Sequence, residues 1–410
     1  MKVSLLSLGC KVNQAECSQM EAAFREKGWN IVSLDECPDF SVINTCSVTS
    51  RSDYQSRQLI RRASGCGSRV VVTGCYSELN SELVRSMPGV EMVVNNYNKG
   101  RIVNMIAGSS SRTFLDFSVL KRSRFHLKVQ DGCNNSCSYC TIPAARGHSR
   151  SIEIEEIIQH VRLAAMSYKE IVLTGIHLGT YGYDLVSKVK LSGLLTEILR
   201  RTDIGRIRLS SLEIGEIDDQ LLEVMQEPRI CNHFHIPLQS GDDKILRSMN
   251  RNYDSAGFSS GILHICKKVP NVAIGTDVIV GFPGESEVEF QNTRDLIGSL
   301  PISYVHVFPF SPRPGTRAHG MSPQVPAQTK RERAAVLRAL SGSKKRAYMQ
   351  GQIGQSLAML VEERGDGNEV TGTSANYLRV RAFHETAMPR SLVGVRITEV
   401  GDDVLLAYAI

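Results

Sequence analysis

A run of three closely spaced cysteines places the strongest constraint on what this chain can fold into. Cys133, Cys137 and Cys140 stand in a C-x3-C-x2-C pattern within the segment 131–146, which reads DGCNNSCSYCTIPAAR. A loop of this kind can fold its thiolates around one metal centre. Three protein ligands suit a cubane iron–sulfur cluster that keeps one iron free of protein. We therefore predict a cluster with an open iron, which is a site for chemistry and not only for structure.

Zinc is the alternative occupant of this loop. Structural zinc sites usually pair two C-x2-C units, or one such unit with a histidine pair. The loop contains a single C-x2-C unit, and His148 is the residue that would have to serve as a fourth ligand. The spacing therefore favours the iron–sulfur cluster and leaves zinc as the second interpretation.

Three short apolar segments in the first hundred residues each end at a cysteine. These pairs are Lys2–Gly9 with Cys10, Phe40–Thr45 with Cys46, and Arg69–Gly74 with Cys75. Their β-branched residues predict buried strands, and the helical stretches between them (Gln14–Lys27, Asp53–Ala63 and Ser77–Ser86) predict a small parallel α/β sheet. Ligands of such sheets lie at the carboxyl ends of the strands. We therefore expect these three thiols to meet at one edge as a second metal site.

The remaining cysteines are interpreted as buried or incidental thiols, namely Cys17, Cys37, Cys66, Cys231 and Cys266. Cys66 is the closest rival of Cys75, but only Cys75 follows a predicted strand. The eleven cysteines of a chain without a recognisable signal peptide are expected to be reduced. Reduced thiols favour metal binding over disulfide formation.

From residue 125 onwards, six predicted strands alternate with helices. The strands are Phe125–Gln130, Glu170–Leu173, Arg206–Ser210, His233–Pro237, Val272–Val280 and Tyr304–Phe308, and the helices are Glu153–Tyr168, Leu191–Arg201, Ile217–Gln226, Ser255–Lys268 and Glu287–Leu300. Six such units predict an incomplete (β/α)6 barrel, since a closed barrel has eight. The cysteine loop follows the first strand, so we expect it at the carboxyl face, where barrel enzymes place their chemistry.

Polar residues near the carboxyl ends of these strands are candidates for binding a cofactor. They are Thr174 and Gly175 after the second strand, Ser211 after the third, Gln239 and Ser240 after the fourth, and Asp277 within the fifth. A helix cap is the alternative role of such residues. His177, at the same face, is interpreted as a packing residue.

The C-terminal segment alternates apolar and polar residues with period two. Leu357–Glu362, Asn376–Ala382, Val393–Thr398 and Val404–Ala407 predict a small all-β barrel or sheet. Tyr377, Arg379 and Arg381 are expected to share its outer face. A stacking ring beside two guanidinium groups suits single-stranded RNA. Arg146 and Arg150, just past the cysteine loop, are candidates for an RNA phosphate or a cofactor carboxylate, with a surface salt bridge as the alternative.

Length and charge set the domain organisation and the class of partner. The 410 residues predict several domains, which we place at 1–108, 125–345 and 346–410, with a Gly-, Ser- and base-rich linker at 109–124. The net charge is +6, and the segment 328–350 alone holds seven Lys or Arg and one Glu, an excess of six. This placement favours a polyanionic partner, with an exposed helix face as the alternative. No apolar run long enough for a membrane span occurs, so we expect a cytoplasmic monomer.

Taken together, these residues resemble the methylthiotransferase branch of the radical S-adenosylmethionine superfamily over essentially the full chain. The aromatic Tyr139 before the last cysteine is similar to the cluster motif of that superfamily. The stretches GCKVNQAE, NTCSVT, DGCNNSCSYCTIPAARG and FPFSPRPGT look most like the tRNA subgroup that acts on N6-threonylcarbamoyladenosine. The resemblance implies a C-terminal RNA-binding TRAM domain after the partial barrel.

The resemblance also implies cofactors and a ligand set. Cys133, Cys137 and Cys140 would hold the [4Fe-4S] cluster that cleaves S-adenosylmethionine, with Tyr139 beside the cofactor. The second set, Cys10, Cys46 and Cys75, would hold an auxiliary [4Fe-4S] cluster. Two S-adenosylmethionine molecules would be consumed, one to methylate a sulfur on the auxiliary cluster and one to generate a 5′-deoxyadenosyl radical.

The implied reaction transfers a methylthio group to C2 of the threonylcarbamoyladenosine at position 37 of a tRNA anticodon loop. An electron donor and a sulfur source are implied as further partners. One alternative is the same chemistry on isopentenyladenosine-37 of tRNA or on a ribosomal-protein aspartate. An alternative of another class is a metal-stabilised RNA-binding protein without catalysis.

Overall fold

A parallel five-stranded sheet forms the N-terminal domain of the computed structural model, which describes residues 1–108, 117, 118, 120 and 122–410. Its strands are β1 (Lys2–Ser7), β2 (Asn30–Ile31), β3 (Phe40–Thr45), β4 (Arg69–Gly74) and β5 (Val90–Val93), in the order β2-β1-β3-β4-β5. The bounds of β3 and β4 are those predicted, whereas β1 ends two residues early. The short edge strands β2 and β5 are additional to the prediction.

Helices cover both faces of this sheet. They are α1 (Lys11–Glu26), α2 (Ser50–Gly65), α3 (Cys75–Leu79), α4 (Ser81–Arg85) and α5 (Ile102–Ala107). Val42 and Ile43 are neighbours in β3 and therefore point to opposite faces. Val42 shares a buried core with Phe24 of α1, and Ile43 shares another with Ile60 of α2. Since both faces are buried, as a parallel sheet requires, the strand ends are the positions left for a site.

The predicted linker at 109–124 falls largely on residues outside the described part of the chain, namely 109–116, 119 and 121. Its described end packs against the second domain. Phe117 and Leu120 are buried there, and the Tyr168 hydroxyl donates to both of their carbonyl oxygens at 3.1 and 3.2 Å. The last residues before 125 are therefore anchored to the barrel.

Six parallel strands form the predicted half-barrel. The strands of this region are β6 (Phe125–Lys128), β7 (Gln130–Asp131), β8 (Arg150–Ser151), β9 (Glu170–Thr174), β10 (Arg206–Leu209), β11 (His233–His235), β12 (Ala273–Val280) and β13 (Tyr304–Pro309). Two parallel sheets have the orders β10-β9-β6 and β11-β12-β13, and β7 pairs only with β8. Backbone bonds join β10 to the segment before β11, such as Cys231 N to Ile207 O at 2.8 Å. The order β6-β9-β10-β11-β12-β13 confirms the incomplete barrel.

The helices of this region are α6 (Ile142–Arg146), α7 (Ile154–Ala165), α8 (Leu191–Arg201), α9 (Asp219–Val224), α10 (Asp243–Ser248), α11 (Ser255–Lys268), α12 (Glu287–Ser299) and α13 (Ala327–Gln350). Helices α7, α8, α9, α11, α12 and α13 share one core with the strands, whereas α6 packs against α3 of the N-terminal domain. The bounds of α8 and α11 are those predicted, and α10 is additional. No helix in the described ranges has both the length and the apolar content that crossing a membrane requires.

A closed five-stranded barrel forms the C-terminal domain. Its strands are β14 (Ser356–Arg364), β15 (Glu369–Ser374), β16 (Arg379–Phe383), β17 (Leu392–Val400) and β18 (Leu405–Ala409), in the order β14-β15-β16-β18-β17. The all-β prediction is confirmed, although β15 is additional to it. Helix α13 continues through the predicted boundary at 345, and its Met349 packs in the core of this barrel.

A buried ion-pair network joins the C-terminal barrel to the half-barrel. Glu170 on β9 is fully buried and pairs with Arg206 and Arg208 of β10 and with Arg124. Arg206 donates to the Ala358 carbonyl at 2.8 Å, and Arg208 donates to carbonyl oxygens of the turn after β15. Glu170 therefore orients the two arginines that hold the C-terminal barrel.

A Glu170→Gln substitution is expected to destabilise the folded protein by about 3–5 kcal/mol, because it leaves buried guanidinium groups without their counter-charge. Burial opposes ionisation of Glu170, but Arg208, Arg206 and Arg124 lower its pKa from 4.5 to about 2. Its contribution to stability is therefore present above pH 4.5 and is lost as the pH falls towards 2. Thermal unfolding followed by circular dichroism measures both effects. Glu197→Gln, at an exposed ion pair, should change the midpoint little, and an equal shift would contradict this role of Glu170.

Candidate active site

The loop after β7 holds the first cysteine set at the carboxyl face of the half-barrel. Gly132 has a φ of +76°, and a Cβ added there would lie 2.0 Å from the His148 carbonyl oxygen. This turn therefore requires glycine. The Cys133 amide donates to the Gly147 carbonyl at 3.1 Å. The two ends of the loop are thus tied together across the turn.

Backbone N–H groups point at two of these sulfur atoms. The Asn135 amide donates to Cys133 Sγ and the Ile142 amide to Cys140 Sγ, both at 3.4 Å. Hydrogen bonds to cluster sulfur ligands tune reduction potential. Burial raises the pKa of the Cys140 thiol to about 12. A metal that binds there must therefore displace a proton.

The structure also brings Cys10, Cys46 and Cys75 together at the carboxyl edge of the N-terminal sheet. Cys10 precedes α1, Cys46 follows β3, and Cys75 begins α3 directly after β4. A Cβ added to Gly9 would lie 2.5 Å from Cys46 Sγ, so the first cysteine loop closely approaches the second. Cys66 precedes the six residues of β4 and lies at its other end, about 20 Å away. Cys66 is therefore not placed to join this set.

Neither cysteine set has the spacing of a single-ion site. Within the described ranges, the one group of three His, Cys, Asp or Glu side chains whose ligand atoms all lie within 4.8 Å of one another is His235, Asp277 and His306. Three thiolates on one zinc ion, each at about 2.3 Å, would lie closer than that. His148, the alternative zinc ligand, is exposed with its Nδ1 3.2 Å from Asn134 Oδ1. Each cysteine set is therefore wider than one zinc ion requires, which is the direction expected for a larger group such as a cubane cluster.

Arg146 lies between the two cysteine sets and is fully buried. Its Nε donates to Cys75 Sγ at 3.3 Å, and its Nη1 donates to Glu16 at 3.0 Å and to Asp131 at 2.9 Å. Burial opposes ionisation of Glu16, but Lys99 and Arg146 hold its pKa well below its usual range. The predicted RNA contact of Arg146 is wrong, because its guanidinium is enclosed. This residue instead ties the cysteine loop to the N-terminal domain.

A cavity of about 180 Å³ is bordered by residues of both cysteine loops. It is lined by Val48, Thr49, Tyr139, Gln239, Asp277, Ile279, Phe308, Pro309, Phe310, Ser311 and Arg313. Val48 and Thr49 closely follow Cys46, and Tyr139 directly precedes Cys140. Both cysteine loops therefore border the same space. Its aromatic rings suit a planar heteroaromatic ring, and its polar side chains are placed to orient such a ring.

A more polar cavity of about 370 Å³ borders the first cysteine set. Arg251 in its wall donates to Cys137 Sγ at 3.3 Å and pairs with Glu213. His177 Nδ1 lies 3.6 Å from Cys133 Sγ, so its interpretation as a packing residue is wrong. Glu213 follows the carboxyl end of β10, and a polar residue in such a position can be recognised from the sequence as a candidate site residue. Arg251 lies in the loop after α10, where no sequence pattern marks it.

Two residues that are predicted to contact a cofactor form side-chain hydrogen bonds within the protein. Thr174 and Ser240 are fully buried. The Thr174 hydroxyl donates to the Leu127 carbonyl at 3.2 Å, and the Ser240 hydroxyl lies 3.2 Å from that of Thr293. The Thr174 prediction concerns its backbone groups and stays a prediction, as does the contact of Ser240 with a cofactor carboxylate.

The other predicted cofactor residues divide into two groups. Gly175, whose amide donates to the Ser210 hydroxyl at 3.4 Å, and the exposed Ser211 lie at the carboxyl face but line neither cavity. Tyr139, Gln239 and Asp277 line the 180 Å³ cavity. Contact of these three with a cofactor stays a prediction.

Two histidines flank Asp277 in the wall of this cavity. His235 Nε2 lies 2.9 Å and His306 Nδ1 lies 3.3 Å from Asp277 Oδ1. Burial opposes ionisation of Asp277, but hydrogen bonds from both histidines lower its pKa. Asp277 is therefore a carboxylate held between two imidazole rings in the cavity wall.

The predicted RNA-binding residues of the C-terminal barrel do not share one face. Tyr377 has a φ of +65°, and its ring stacks on that of His233 in the half-barrel at 4.6 Å. The prediction for Tyr377 is wrong because the positive φ breaks the period-two alternation. Arg379 and Arg381 are exposed on β16. Arg150 is half-buried and lines a 620 Å³ crevice between the N-terminal domain and the half-barrel.

Two exposed aromatic rings accompany Arg381 on the outer face of the C-terminal barrel. Phe383 on β16 and Tyr408 on β18 are paired in the strand register and are 64% and 53% exposed. Arg396 on β17 is paired with Tyr408 in the register and is also exposed. This outer face, defined by Arg381, Phe383, Arg396 and Tyr408, has the composition expected for stacking with single-stranded RNA.

Comparison with known proteins places both cysteine sets within recognised families. Residues 127–297 match the Radical SAM superfamily, and residues 2–95 match the uncharacterized protein family UPF0004. The chain is 38% identical to threonylcarbamoyladenosine tRNA methylthiotransferase MtaB of Aquifex aeolicus (strain VF5), over 88% of this chain and 93% of the relative. It is 31% identical to tRNA-2-methylthio-N(6)-dimethylallyladenosine synthase of Dictyoglomus thermophilum, over 97% and 96%.

Solved structures support the fold. The radical S-adenosylmethionine methyltransferase TsrM of Kitasatospora setae superposes with a TM-score of 0.57 at 13% identity, over 78% of this chain and 77% of that one. At this identity the likeness concerns the fold alone. The sequence relatives carry the assignment of activity, and they agree with the position of the cysteines in the fold. The chain belongs to the tRNA methylthiotransferases of the radical S-adenosylmethionine superfamily, which are transferases that use S-adenosylmethionine and a [4Fe-4S] cluster.

Proposed function

We propose that this protein transfers a methylthio group to C2 of N6-threonylcarbamoyladenosine at position 37 of tRNA. The observation that carries the proposal is the 180 Å³ cavity bordered by both cysteine loops. A radical source and a methylthio donor must both reach one carbon atom, so they need a shared space. The C2–H bond of adenine is unactivated, which makes acid–base groups alone a poor route and a radical a credible one.

In this proposal each cysteine set holds one [4Fe-4S] cluster, the first through Cys133, Cys137 and Cys140 and the second through Cys10, Cys46 and Cys75. When bound, the clusters and S-adenosylmethionine supply the radical and the methylthio sulfur, and the protein positions them. Arg251 and two backbone amides donate to sulfur atoms of the first set, and Arg146 donates to Cys75. An electron donor and a sulfur source are the further partners, and the cytoplasm is the compartment where the tRNA is met.

The choice of base rests on the relatives and on the N-terminal motif. The relative named for threonylcarbamoyladenosine is 38% identical, and the one named for dimethylallyladenosine is 31% identical. The motif around Cys10 reads GCKVN, which is similar to the threonylcarbamoyladenosine subgroup. Dimethylallyladenosine in tRNA is the second candidate substrate.

The outer face of the C-terminal barrel is the surface that we assign to RNA. Phe383→Ala is expected to weaken binding of an anticodon stem-loop by about tenfold, because each stacked base contributes about 1–3 kcal/mol. Fluorescence anisotropy with a labelled stem-loop measures the affinity. Met166→Ala removes a side chain that is 82% exposed on the half-barrel and serves as the matched control. If the two variants bind the stem-loop with equal affinity, this face is not the RNA-binding surface.

The substrate assignment is tested with two stem-loops that carry threonylcarbamoyladenosine or dimethylallyladenosine at position 37. The reconstituted protein is expected to add the mass of one methylthio group to the first RNA. Deuterium placed at C2 should appear in 5′-deoxyadenosine. Modification of the second RNA alone would overturn the choice of base while leaving the class of enzyme intact.

A further inference from the structure

Lys11 is a cationic residue directly after the first cysteine of the second set, and no carboxylate among the described residues forms an ion pair with it. It follows Cys10 in the chain and is half-buried. Its Nζ lies 5.7 Å from the centre of the Tyr377 ring. No residue in the described ranges accepts a hydrogen bond from this Nζ. An ammonium group in such a position is costly unless a ligand completes it.

The surroundings of Lys11 carry surplus positive charge. The Arg208 guanidinium contacts the same Tyr377 ring at 5.1 Å. Lys11, Arg124, Arg206 and Arg208 are four cations, and the carboxylates paired within this group are Glu170 and Glu362. Among the described residues, two positive charges are therefore left over. Both carboxylates are already engaged by arginines. An anionic group is therefore the ligand that this region attracts.

A chain of side-chain contacts connects Lys11 with the cavity that both cysteine loops border. Tyr377 stacks on His233, whose Nε2 lies 2.9 Å from the Tyr304 hydroxyl. That hydroxyl is 3.4 Å from His235 Nδ1, and the other nitrogen of His235 is bonded to Asp277 in the cavity wall. Lys11 is therefore linked to the cavity wall through packed side chains.

The chemistry of the proposed substrate matches this arrangement. In adenine, C2 and the carbon that bears N6 are both bonded to N1, so a substituent on N6 lies on the same edge as C2. When C2 is directed at the second cysteine set, that substituent is brought near the residue that follows Cys10. The threonylcarbamoyl group carries a carboxylate, whereas the dimethylallyl group is neutral.

We propose that Lys11 binds the carboxylate of the threonylcarbamoyl group and thereby selects this base. The inference rests on the proposed function and names the residue that sets its specificity. A charge-assisted hydrogen bond of this kind contributes about 1.5–3 kcal/mol, which corresponds to roughly 10- to 150-fold in affinity.

The test compares stem-loops that carry threonylcarbamoyladenosine or its neutral methyl ester, using wild-type protein, Lys11→Met and Lys11→Arg. Wild type is expected to bind the free acid at least about tenfold more tightly than the ester. Lys11→Met should bind the free-acid and the ester stem-loop with equal affinity, and its weaker binding of the free acid should appear as a higher KM. Lys11→Arg should again bind the free acid more tightly than the ester. Lys267→Met, at an exposed residue of α11, is the control for removal of a lysine charge.

Four outcomes would overturn the inference or its basis, and they are distinguishable. If Lys11→Met still binds the free acid more tightly than the ester, Lys11 is not the residue that recognises the carboxylate. If Lys11→Met binds both stem-loops equally more weakly than wild type does, Lys11 contacts a phosphate, because the two stem-loops have the same phosphates. A wild-type protein that modifies only dimethylallyladenosine would overturn the proposed function itself. Iron content and S-adenosylmethionine cleavage of Lys11→Met should equal those of wild type, and a loss of iron would instead make Lys11 part of the second cysteine site.

Discussion

A Cys137→Ala variant is expected to lose cleavage of S-adenosylmethionine while keeping its fold. The first cysteine set has three thiols, so removal of one leaves too few ligands for a stable cubane cluster. Cys137 is half-buried in a loop, and the truncation opens no core cavity. Formation of 5′-deoxyadenosine after chemical reduction measures the effect. It should fall to the level of protein prepared without iron.

Cys266→Ala is the matched control for this variant. Cys266 is a half-buried thiol on the outer helix α11, away from both cysteine sets, and its loss should leave cleavage unchanged. Preserved cleavage in Cys137→Ala would remove Cys137 from the ligand set of the first cluster. If the metal-loaded wild-type protein formed no 5′-deoxyadenosine, the remaining interpretation would be a metal-stabilised RNA-binding protein.

A Cys75→Ala variant is expected to separate cleavage of S-adenosylmethionine from transfer of the methylthio group. It should still produce 5′-deoxyadenosine, because the first cysteine set is intact, but should transfer no methylthio group to RNA. Cys75 is buried at the end of β4, where the Arg146 Nε–H points at its sulfur. Mass analysis of the RNA and quantification of 5′-deoxyadenosine in the same reaction measure both halves.

Cys66→Ala tests the assignment of the third ligand in the second set. Cys66 lies at the amino end of β4 and should be dispensable for both half-reactions. Methylthio transfer by Cys75→Ala, or its loss in Cys66→Ala, would require a different ligand set.

Strands, helices and loops that depend on the local order of apolar and polar residues could be predicted from the sequence. The apolar run of β3, bounded by polar segments, marks a buried strand whether or not its partners are known. The β/α alternation from residue 125 onwards and the cysteine loop after the first strand gave the half-barrel and its reactive face. Here local propensity and the overall fold agree, which is the condition under which a sequence can be interpreted on its own.

Features that depend on contacts between domains could not be predicted. Arg146 is charged and follows a loop, which suggests an exposed residue. Its partner Glu16 lies 130 residues away, and the two meet only when the N-terminal domain docks on the half-barrel. The same reason accounts for Arg251, which reaches Cys137 from 114 residues away.

Backbone geometry explains two further errors. Tyr377 continues the period-two pattern of β16, but its positive φ turns the side chain into the half-barrel. Strand β15 (EVTGTS) contains few apolar residues and a glycine, so it does not read as a strand. Gly372 is required there because a Cβ would lie 1.9 Å from the Leu360 carbonyl oxygen of the neighbouring strand. Closure of the barrel, and not local propensity, determines this strand.

We propose that two sets of three cysteines hold two cubane clusters that face one cavity. The decisive measurement is iron and acid-labile sulfide per chain after anaerobic reconstitution. We expect about eight irons and about eight sulfides in wild type, and about four of each when all three cysteines of either set are replaced by alanine. About four irons in the wild-type protein would contradict the second cluster, and zinc with little sulfide would contradict both.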